Sequence, residues 1–179
     1  MTTISGVREM SRRELLASGT KAGAVLVVGA GFVAHSTEGW AKETKGLSPE
    51  AMATILQVAR DTYPHDRLAD KYYAIAIQGH DDRAAEDPAF AGMMERGARV
   101  LDRLAERRGF PSYVGTGWET DRTAMLRAIE NHEFFQTIRG GLVVGLYNQK
   151  EVWGLFGYEG ESFSQGGYID RGFNDIDWL

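Results

Sequence analysis

The fold is decided by residues 47–64, which read LSPEAMATILQVARDTYP. Ser48 is a good helix N-cap, Pro49 suits the first helical position, and Glu50 places a negative charge in the first turn. Apolar side chains then recur at helical spacing and form one face, namely Met52, Ile55, Leu56, Ala59 and Tyr63. Pro64 cannot continue a helix, because it has no backbone N–H to donate. The stretch therefore predicts a helix whose two ends and buried face are all encoded locally.

Four further helices are predicted downstream from apolar spacing, capping residues and helix breakers. They cover residues 67–78, 88–108, 119–130 and 134–147, with an acidic surface loop at 79–87 and a second loop at 111–117. Gly140-Gly141 is expected to interrupt or bend the last helix, and Val143-Val144 is a candidate for a short strand. The sequence therefore predicts an all-α fold, a small domain of about five helices over residues 42–148.

Residues 1–41 have the pattern of an export signal. Arg12 and Arg13 are adjacent, and an uncharged apolar run from Ala22 to Ala34 follows them. This layout is typical of a bacterial twin-arginine signal, which directs folded proteins to the periplasm. The run is shorter than the ~20 residues that span a bilayer as a helix. The alternative is an ordinary amphipathic N-terminal helix, which a run with no polar face does not favour.

The same run contains a match to the dinucleotide-binding fingerprint G-x-G-x-x-A at residues 29–34. In a dinucleotide-binding fold this turn must open a helix and lead to a second parallel strand. Here Gly39, Gly46 and Pro49 follow, and these residues break a helix. The segment is therefore interpreted as part of the signal, and no cofactor-binding residue is assigned in this chain.

Composition narrows the classes of function. The chain has 179 residues, of which 43% are hydrophobic and 25% charged, as in an ordinary soluble domain. The net charge of −5 argues against a nucleic-acid partner. Because the chain has no cysteine, it can form neither a disulfide, nor a thiolate metal site, nor an iron–sulfur cluster, nor a covalent c-type haem.

Residues 149–179 form a C-terminal tail in which aromatic rings alternate with glycines and acids outnumber bases. Two interpretations stay open. In the first interpretation the rings pack on the chain's own helical domain. In the second they lie on a partner protein, with tyrosine and tryptophan as anchors. In the second case the interface residues are Tyr158, Phe163, Tyr168, Phe173, Asp175, Asp177 and Trp178.

Two histidine motifs are weak candidates for chemistry. His132 begins a match to the zinc motif H-E-x-x-H, but Gln136 stands where the second histidine belongs, so no metal ligand is predicted. His80, followed by Asp81 and Asp82, falls in the predicted loop at 79–87 and is expected to be solvated.

A third histidine lies in the turn Tyr63-Pro64-His65-Asp66. A histidine beside a carboxylate can act as a general base. The commoner role of such a pair is structural, with Asp66 accepting backbone N–H groups at the start of the next helix. The sequence therefore assigns these residues to a structural turn and no residue to catalysis.

Several of these stretches together resemble the gluconate 2-dehydrogenase subunit 3 family. The resemblance is carried by the twin-arginine signal, by residues 47–50 and 59–66, and by the ending, which reads GYEG at 157–160, GGY at 166–168 and GFNDIDWL at 172–179. Members of the family are small subunits of membrane-associated, FAD-dependent dehydrogenases of alcohols, sugars and sugar acids.

The resemblance implies partners rather than catalysis. It implies a large subunit of the glucose–methanol–choline oxidoreductase type that holds the FAD, the twin-arginine translocase, and often a cytochrome c subunit. The small subunit is expected to assist maturation of the large subunit and to carry it to the periplasm. The resemblance implies no catalytic residue and no cofactor in this chain.

Three functions are thus weighed. The first is a non-catalytic, exported small subunit of a flavin dehydrogenase. The alternatives are a free-standing periplasmic binding or structural protein, and an independent enzyme that uses His65 and Asp66. Co-purification with a flavoprotein separates the first from the other two.

Overall fold

The computed structural model describes residues 26–28, 31–34 and 40–170, with side chains from residue 43 onward. Three short strands come first and form an antiparallel sheet in chain order: β1 (Leu26–Val28), β2 (Gly31–Ala34) and β3 (Trp40–Glu43). The first two strands lie in the apolar run that the sequence analysis assigned to the signal. Leu26 pairs with Val33, so β1 leads to an antiparallel strand and not to the helix that a dinucleotide-binding fold requires.

Six α-helices follow among the described residues. They are α1 (Pro49–Thr62), α2 (Asp70–Glu86), α3 (Pro88–Glu106), α4 (Glu119–Ala128), α5 (Glu133–Tyr147) and α6 (Lys150–Trp153). Two single turns of 3₁₀ helix, at Gly154–Phe156 and Ser162–Gln165, lie in the tail. The prediction of a small all-α domain is confirmed. No described helix is both long enough and apolar enough to cross a membrane.

The first helix begins where the sequence places it. The Ser48 hydroxyl accepts the N–H of Ala51 at 3.2 Å, and the helix ends just before Pro64. Residues 51–59 are buried on every side of α1, not on one face only, because α2, α3, α4 and α5 all contact it. This helix is therefore the centre of the domain.

The second helix is longer than predicted. Residues 79–87, expected to be a surface loop, are its second half and its C-cap. Asp81, expected in solvent, is only 1% exposed, and its carboxylate accepts the backbone N–H groups of residues 45–47 at 2.9, 3.0 and 3.0 Å. The acidic run is thus a helical segment whose buried carboxylate holds the chain that leads into α1.

The fifth helix is unbroken, so Gly140-Gly141 does not interrupt it, and the candidate strand at 143–144 lies within it. Two of its glycines have a packing role instead. A Cβ on Gly145 would lie 2.8 Å from the carbonyl oxygen of Ala76 in α2, and Gly141 faces the same helix one turn earlier. Small residues at these two positions let α5 approach α2 closely.

The core lies between α1 and the helices around it. Its largest fully buried side chains are Tyr73, Tyr113, Phe134, Met52, Ile55, Leu56, Ile77, Met94, Leu101, Met125 and Ile138. A Cβ on Gly97 of α3 would lie 2.1 Å from Cγ of Phe134, so the ring occupies the space that a side chain would need. Val152 of α6 is also fully buried, so the helical packing continues past residue 148, the predicted end of the domain.

Candidate partner-binding surface

The turn between α1 and α2 contains Tyr63-Pro64-His65-Asp66 and is fixed by contacts at its first residue. The Tyr63 N–H donates to the carbonyl of Ala59 at 3.1 Å, which closes the end of α1. The Tyr63 carbonyl accepts the hydroxyl of Tyr73 at 2.5 Å. The ring of Tyr63 lies edge-on to that of Tyr147, with centroids 5.9 Å apart. The turn therefore joins α1, α2 and the end of α5.

His65 adds a further contact between the turn and Tyr147 at the end of α5. Its Nε2 lies 2.7 Å from the hydroxyl oxygen of Tyr147, and its ring packs against the rings of Tyr147 and Phe156 at centroid distances of 5.7 and 4.9 Å. Burial, with a smaller contribution from Tyr63, raises the pKa of Tyr147, so the phenol keeps its proton at neutral pH. No local sequence pattern connects His65 with Tyr147, because 82 positions separate them.

Asp66 does not cap the second helix, which corrects the structural role predicted for it. The helix begins at Asp70, its N-cap is Ala69, and no side chain caps it. Asp66 itself is exposed. Because the Nε2 atom of His65 meets a phenol, the arrangement is that of a structural contact and not of a base oriented by a carboxylate.

The tail starts from a second aromatic contact. Trp153 Nε1 donates to the carbonyl of Tyr147 at 2.8 Å, and the N–H of Tyr158 donates to the carbonyl of Trp153 at 2.9 Å. The rings of Trp153 and Tyr158 meet edge to face with centroids 5.2 Å apart. Trp153 therefore ties the first turn of the tail to the end of α5.

Residues 158–170 then form a short loop that folds back on itself. Four glycines at or beside its bends have positive φ: Gly157 at +74°, Gly160 at +101°, Gly166 at +88° and Gly167 at +84°. Other residue types rarely adopt this conformation. The Gly167 N–H donates to the Ser162 carbonyl at 2.7 Å, and Gln165 Nε2 donates to the Glu159 carbonyl at 2.7 Å. The loop is thus shaped by its glycines and by local hydrogen bonds.

Five large apolar side chains between residues 156 and 169 are partly or largely exposed to solvent. Their exposed fractions are 44% for Phe156, 52% for Tyr158, 94% for Phe163, 71% for Tyr168 and 84% for Ile169. Single exposed apolar residues are normal on a protein surface, whereas several within one short segment make it a candidate interaction surface. Phe156 still contacts the ring of His65, and Tyr158 contacts that of Trp153. The described part of the tail therefore leaves Phe163, Tyr168 and Ile169 the most exposed of the five.

The remaining predicted residues of the export signal and the interface lie outside the described residues. They are Arg12, Arg13, Phe173, Asp175, Asp177 and Trp178. Their roles stay predictions from the sequence.

A buried polar cluster that the sequence analysis missed lies near the end of α1. One oxygen of the Asp61 carboxylate accepts hydrogen bonds from Nε of Arg122 at 2.8 Å and from the hydroxyl of Tyr113 at 2.7 Å. Its other oxygen accepts Nε2 of Gln57 at 3.1 Å. Arg122 also donates to the carbonyl of Thr116 at 2.6 Å. The cluster therefore joins α1 to α4 and to the loop between α3 and α4.

The electrostatics of the cluster indicate a structural role. Burial raises the pKa of Tyr113, and the charge and hydrogen bond of Asp61 raise it further, so the phenol stays neutral. Burial alone would lower the pKa of Arg122, but its hydrogen bond to Asp61 and the charge of that carboxylate raise it overall. No local pattern marks the pair, because Asp61 and Arg122 are 61 positions apart.

The other described histidines also have structural contacts. His132 is the N-cap of α5, where its Nδ1 accepts the N–H of Phe134 at 3.2 Å. His80, expected to be solvated, instead packs against Phe90 with ring centroids 6.2 Å apart, and burial lowers its pKa. In the part of the chain that the structure describes, no group of three histidine, aspartate or glutamate side chains could hold a metal ion.

Comparison of the chain with models of protein families, with curated proteins and with solved structures finds no match. The family resemblance therefore rests on the sequence stretches quoted above. The structure adds the positions of those stretches: residues 59–66 end α1 and form the turn, and residues 157–168 cover the bend at Gly157 and most of the exposed loop at 158–170.

Proposed function

We propose that this chain is the non-catalytic small subunit of a periplasmic, FAD-dependent dehydrogenase complex of the glucose–methanol–choline type, which oxidises an alcohol, a sugar or a sugar acid. The FAD belongs to the large subunit. The small subunit binds that flavoprotein, assists its maturation and carries it through the twin-arginine translocase. A cytochrome c subunit that accepts the electrons completes the expected assembly.

The exposure of the tail carries this proposal. A loop that is shaped by its own glycines holds Phe163, Tyr168 and Ile169 in solvent at 94%, 71% and 84% exposure. Tyrosine and other aromatic residues are enriched at the centres of protein interfaces, where they supply most of the binding free energy. A surface of this kind supports a binding role for the chain.

Truncation after Tyr158 tests the binding role. The variant keeps the contact between Tyr158 and Trp153, so we expect it to retain its helical circular dichroism while it no longer co-purifies with the flavoprotein. Retained helicity together with retained flavoprotein would show that the tail is not the interface. Loss of helicity would show that the tail mainly stabilises its own domain.

Replacement of Arg12 and Arg13 by lysine tests the carrier role. Lysine keeps the positive charge but lacks the planar, forked guanidinium group. We expect both the variant and its flavoprotein partner to remain in the cytoplasm, as measured by cell fractionation and by periplasmic dehydrogenase activity. Normal periplasmic activity of the double variant would contradict both the export signal and the carrier role.

Replacement of His65 and Asp66 by alanine tests the enzymatic alternative. The contact of His65 with Tyr147 is structural, so we expect the double variant to lose stability but to leave the turnover of the assembled complex unchanged. Steady-state kinetics on purified complex measure this. A drop in turnover of about a hundredfold, with normal flavin content and assembly, would instead support a catalytic role for the pair.

A further inference from the structure

We propose that residues 158–170 are a preformed recognition loop, and that Phe163 is its anchor, which enters an apolar pocket with a basic rim on the partner protein. The inference rests on the proposed function, because it names the part of the tail that recognises the flavoprotein. It goes beyond that function in assigning the contact to one short loop and one ring.

The geometry of the loop is set before any partner binds. Gly166 and Gly167 are consecutive residues with φ of +88° and +84°, and the Gly167 N–H closes the turn on the Ser162 carbonyl at 2.7 Å. The base of the loop is held where Tyr158 meets Trp153. A segment that already has its bound shape loses less conformational entropy on association than a flexible tail does.

Phe163 stands apart from the other rings. At 94% exposure its side chain makes almost no contact with its own chain, and its neighbours Ser162 and Ser164 are small and polar. The hydrogen bonds that shape this turn use main-chain atoms of residues 162, 163, 166 and 167. The ring is therefore not needed to fold the loop, and its removal tests binding alone.

The charges around the ring indicate the kind of partner. Glu159, Glu161 and Asp170 lie in the loop, and no lysine or arginine occurs from residue 151 to residue 170. An anionic membrane surface would repel this loop, and so would a second copy of a chain whose net charge is −5. A protein surface with basic residues around an apolar pocket is complementary to both the ring and the acids.

The test compares Phe163→Ala with Trp118→Ala in the full chain, co-expressed with the flavoprotein. Trp118 is a matched control, because it is 71% exposed and lies at the start of α4, on the helical domain. We expect Phe163→Ala to weaken binding of the flavoprotein about thirtyfold or more, the loss typical of an interface anchor. Trp118→Ala should bind as the unmodified chain does, and circular dichroism should be unchanged in both variants.

A second variant tests the preformed shape. Gly166→Ala together with Gly167→Ala places side chains where φ is positive, so it should distort the loop and weaken binding although Phe163 is intact. Suppose that truncation after Tyr158 abolishes binding of the flavoprotein but Phe163→Ala leaves it unchanged. This result would overturn the assignment of Phe163 as the anchor and leave the proposed function standing. Failure of the unmodified chain to bind the flavoprotein at all would overturn both.

Two further measurements exclude the other occupants. Flotation of the purified chain with phosphatidylglycerol vesicles measures binding to an anionic membrane, and size-exclusion chromatography measures dimerisation. Both are done with the unmodified chain and with Phe163→Ala. We expect no binding to vesicles and no dimer that depends on Phe163. Vesicle binding or dimerisation that the substitution abolishes would overturn the assignment of the loop to a flavoprotein pocket.

Discussion

Replacing Asp81 by asparagine should lower the free energy of unfolding by about 2–4 kcal/mol. The carboxylate is 1% exposed and accepts three backbone N–H groups, those of residues 45–47. Oδ1 accepts two of them, at 3.0 Å each, and Oδ2 accepts the N–H of Lys45 at 2.9 Å. Asparagine fills the same space but has only one acceptor oxygen and no charge.

The magnitude follows from these contacts. If the amide oxygen takes the place of Oδ1, two hydrogen bonds remain but lose the assistance of the charge, which is about half of their strength. The amide NH₂ then faces the N–H of Lys45, so that hydrogen bond, worth about 1.5–3 kcal/mol with a charged acceptor, is lost. Water can reach the exposed Lys45, which offsets part of the loss and gives the range above.

Urea denaturation followed by circular dichroism measures this change, and hydrogen exchange at the amides of residues 45–47 locates it. Asp82→Asn is the matched control, because Asp82 is the next residue and its side chain is 48% exposed. We expect a much smaller loss for Asp82→Asn and unchanged exchange at the amides of Gly46 and Leu47. Equal stabilities of the two variants, or unchanged exchange at 45–47 in Asp81→Asn, would refute the argument that a buried carboxylate holds this segment.

Asp61→Asn should lower the free energy of unfolding by about 3–5 kcal/mol, because it leaves the charge of Arg122 buried without its partner. Urea denaturation measures the loss, with Asp66→Asn at an exposed position as the control. Equal effects of the two substitutions would contradict the role of the cluster. Gly97→Ala should destabilise by about 1–3 kcal/mol or more, since its Cβ would lie 2.1 Å from a buried ring, and an unchanged midpoint of thermal unfolding would disprove that close contact. His80 has a pKa below its ordinary value of 6.5, so the unfolded chain takes up the proton more readily and stability falls as the pH drops below 6.5. We expect His80→Phe to lose less stability than the unmodified chain between neutral pH and about pH 5, as urea denaturation at each pH would show.

Local signals in the sequence were sufficient for most of the helices. Ser48 and Pro49 mark the start of α1, and Asp87 and Pro88 mark the start of α3, where the Asp87 side chain accepts two backbone N–H groups at 3.0 Å. Capping acts within the first helical turn, so it can be predicted from neighbouring residues. The same holds for the glycine-rich tail, whose composition predicted an irregular segment.

The polar cluster of the core could not be predicted in this way. Asp61 lies on α1, Tyr113 lies in the loop that precedes α4, and Arg122 lies on α4. Nothing in the local sequence of any of them predicts that it is buried. Their pairing depends on how these elements pack. The same is true of His65 and Tyr147, which meet across 82 positions of the chain.

The sequence by itself determined that this protein has a helical domain, where its central helix begins and ends, and that an acidic tail rich in aromatic residues follows. Only the tertiary structure decided which polar groups are buried and which apolar groups are exposed. Asp81 belongs to a run of acids that predicted a solvated loop, but it is buried because distant backbone N–H groups converge on it. Phe163 is exposed because glycines and main-chain hydrogen bonds, and not the ring, fold the loop around it. The physical reason is that capping and helix breaking act over a few residues, whereas burial depends on which distant segment packs against a side chain.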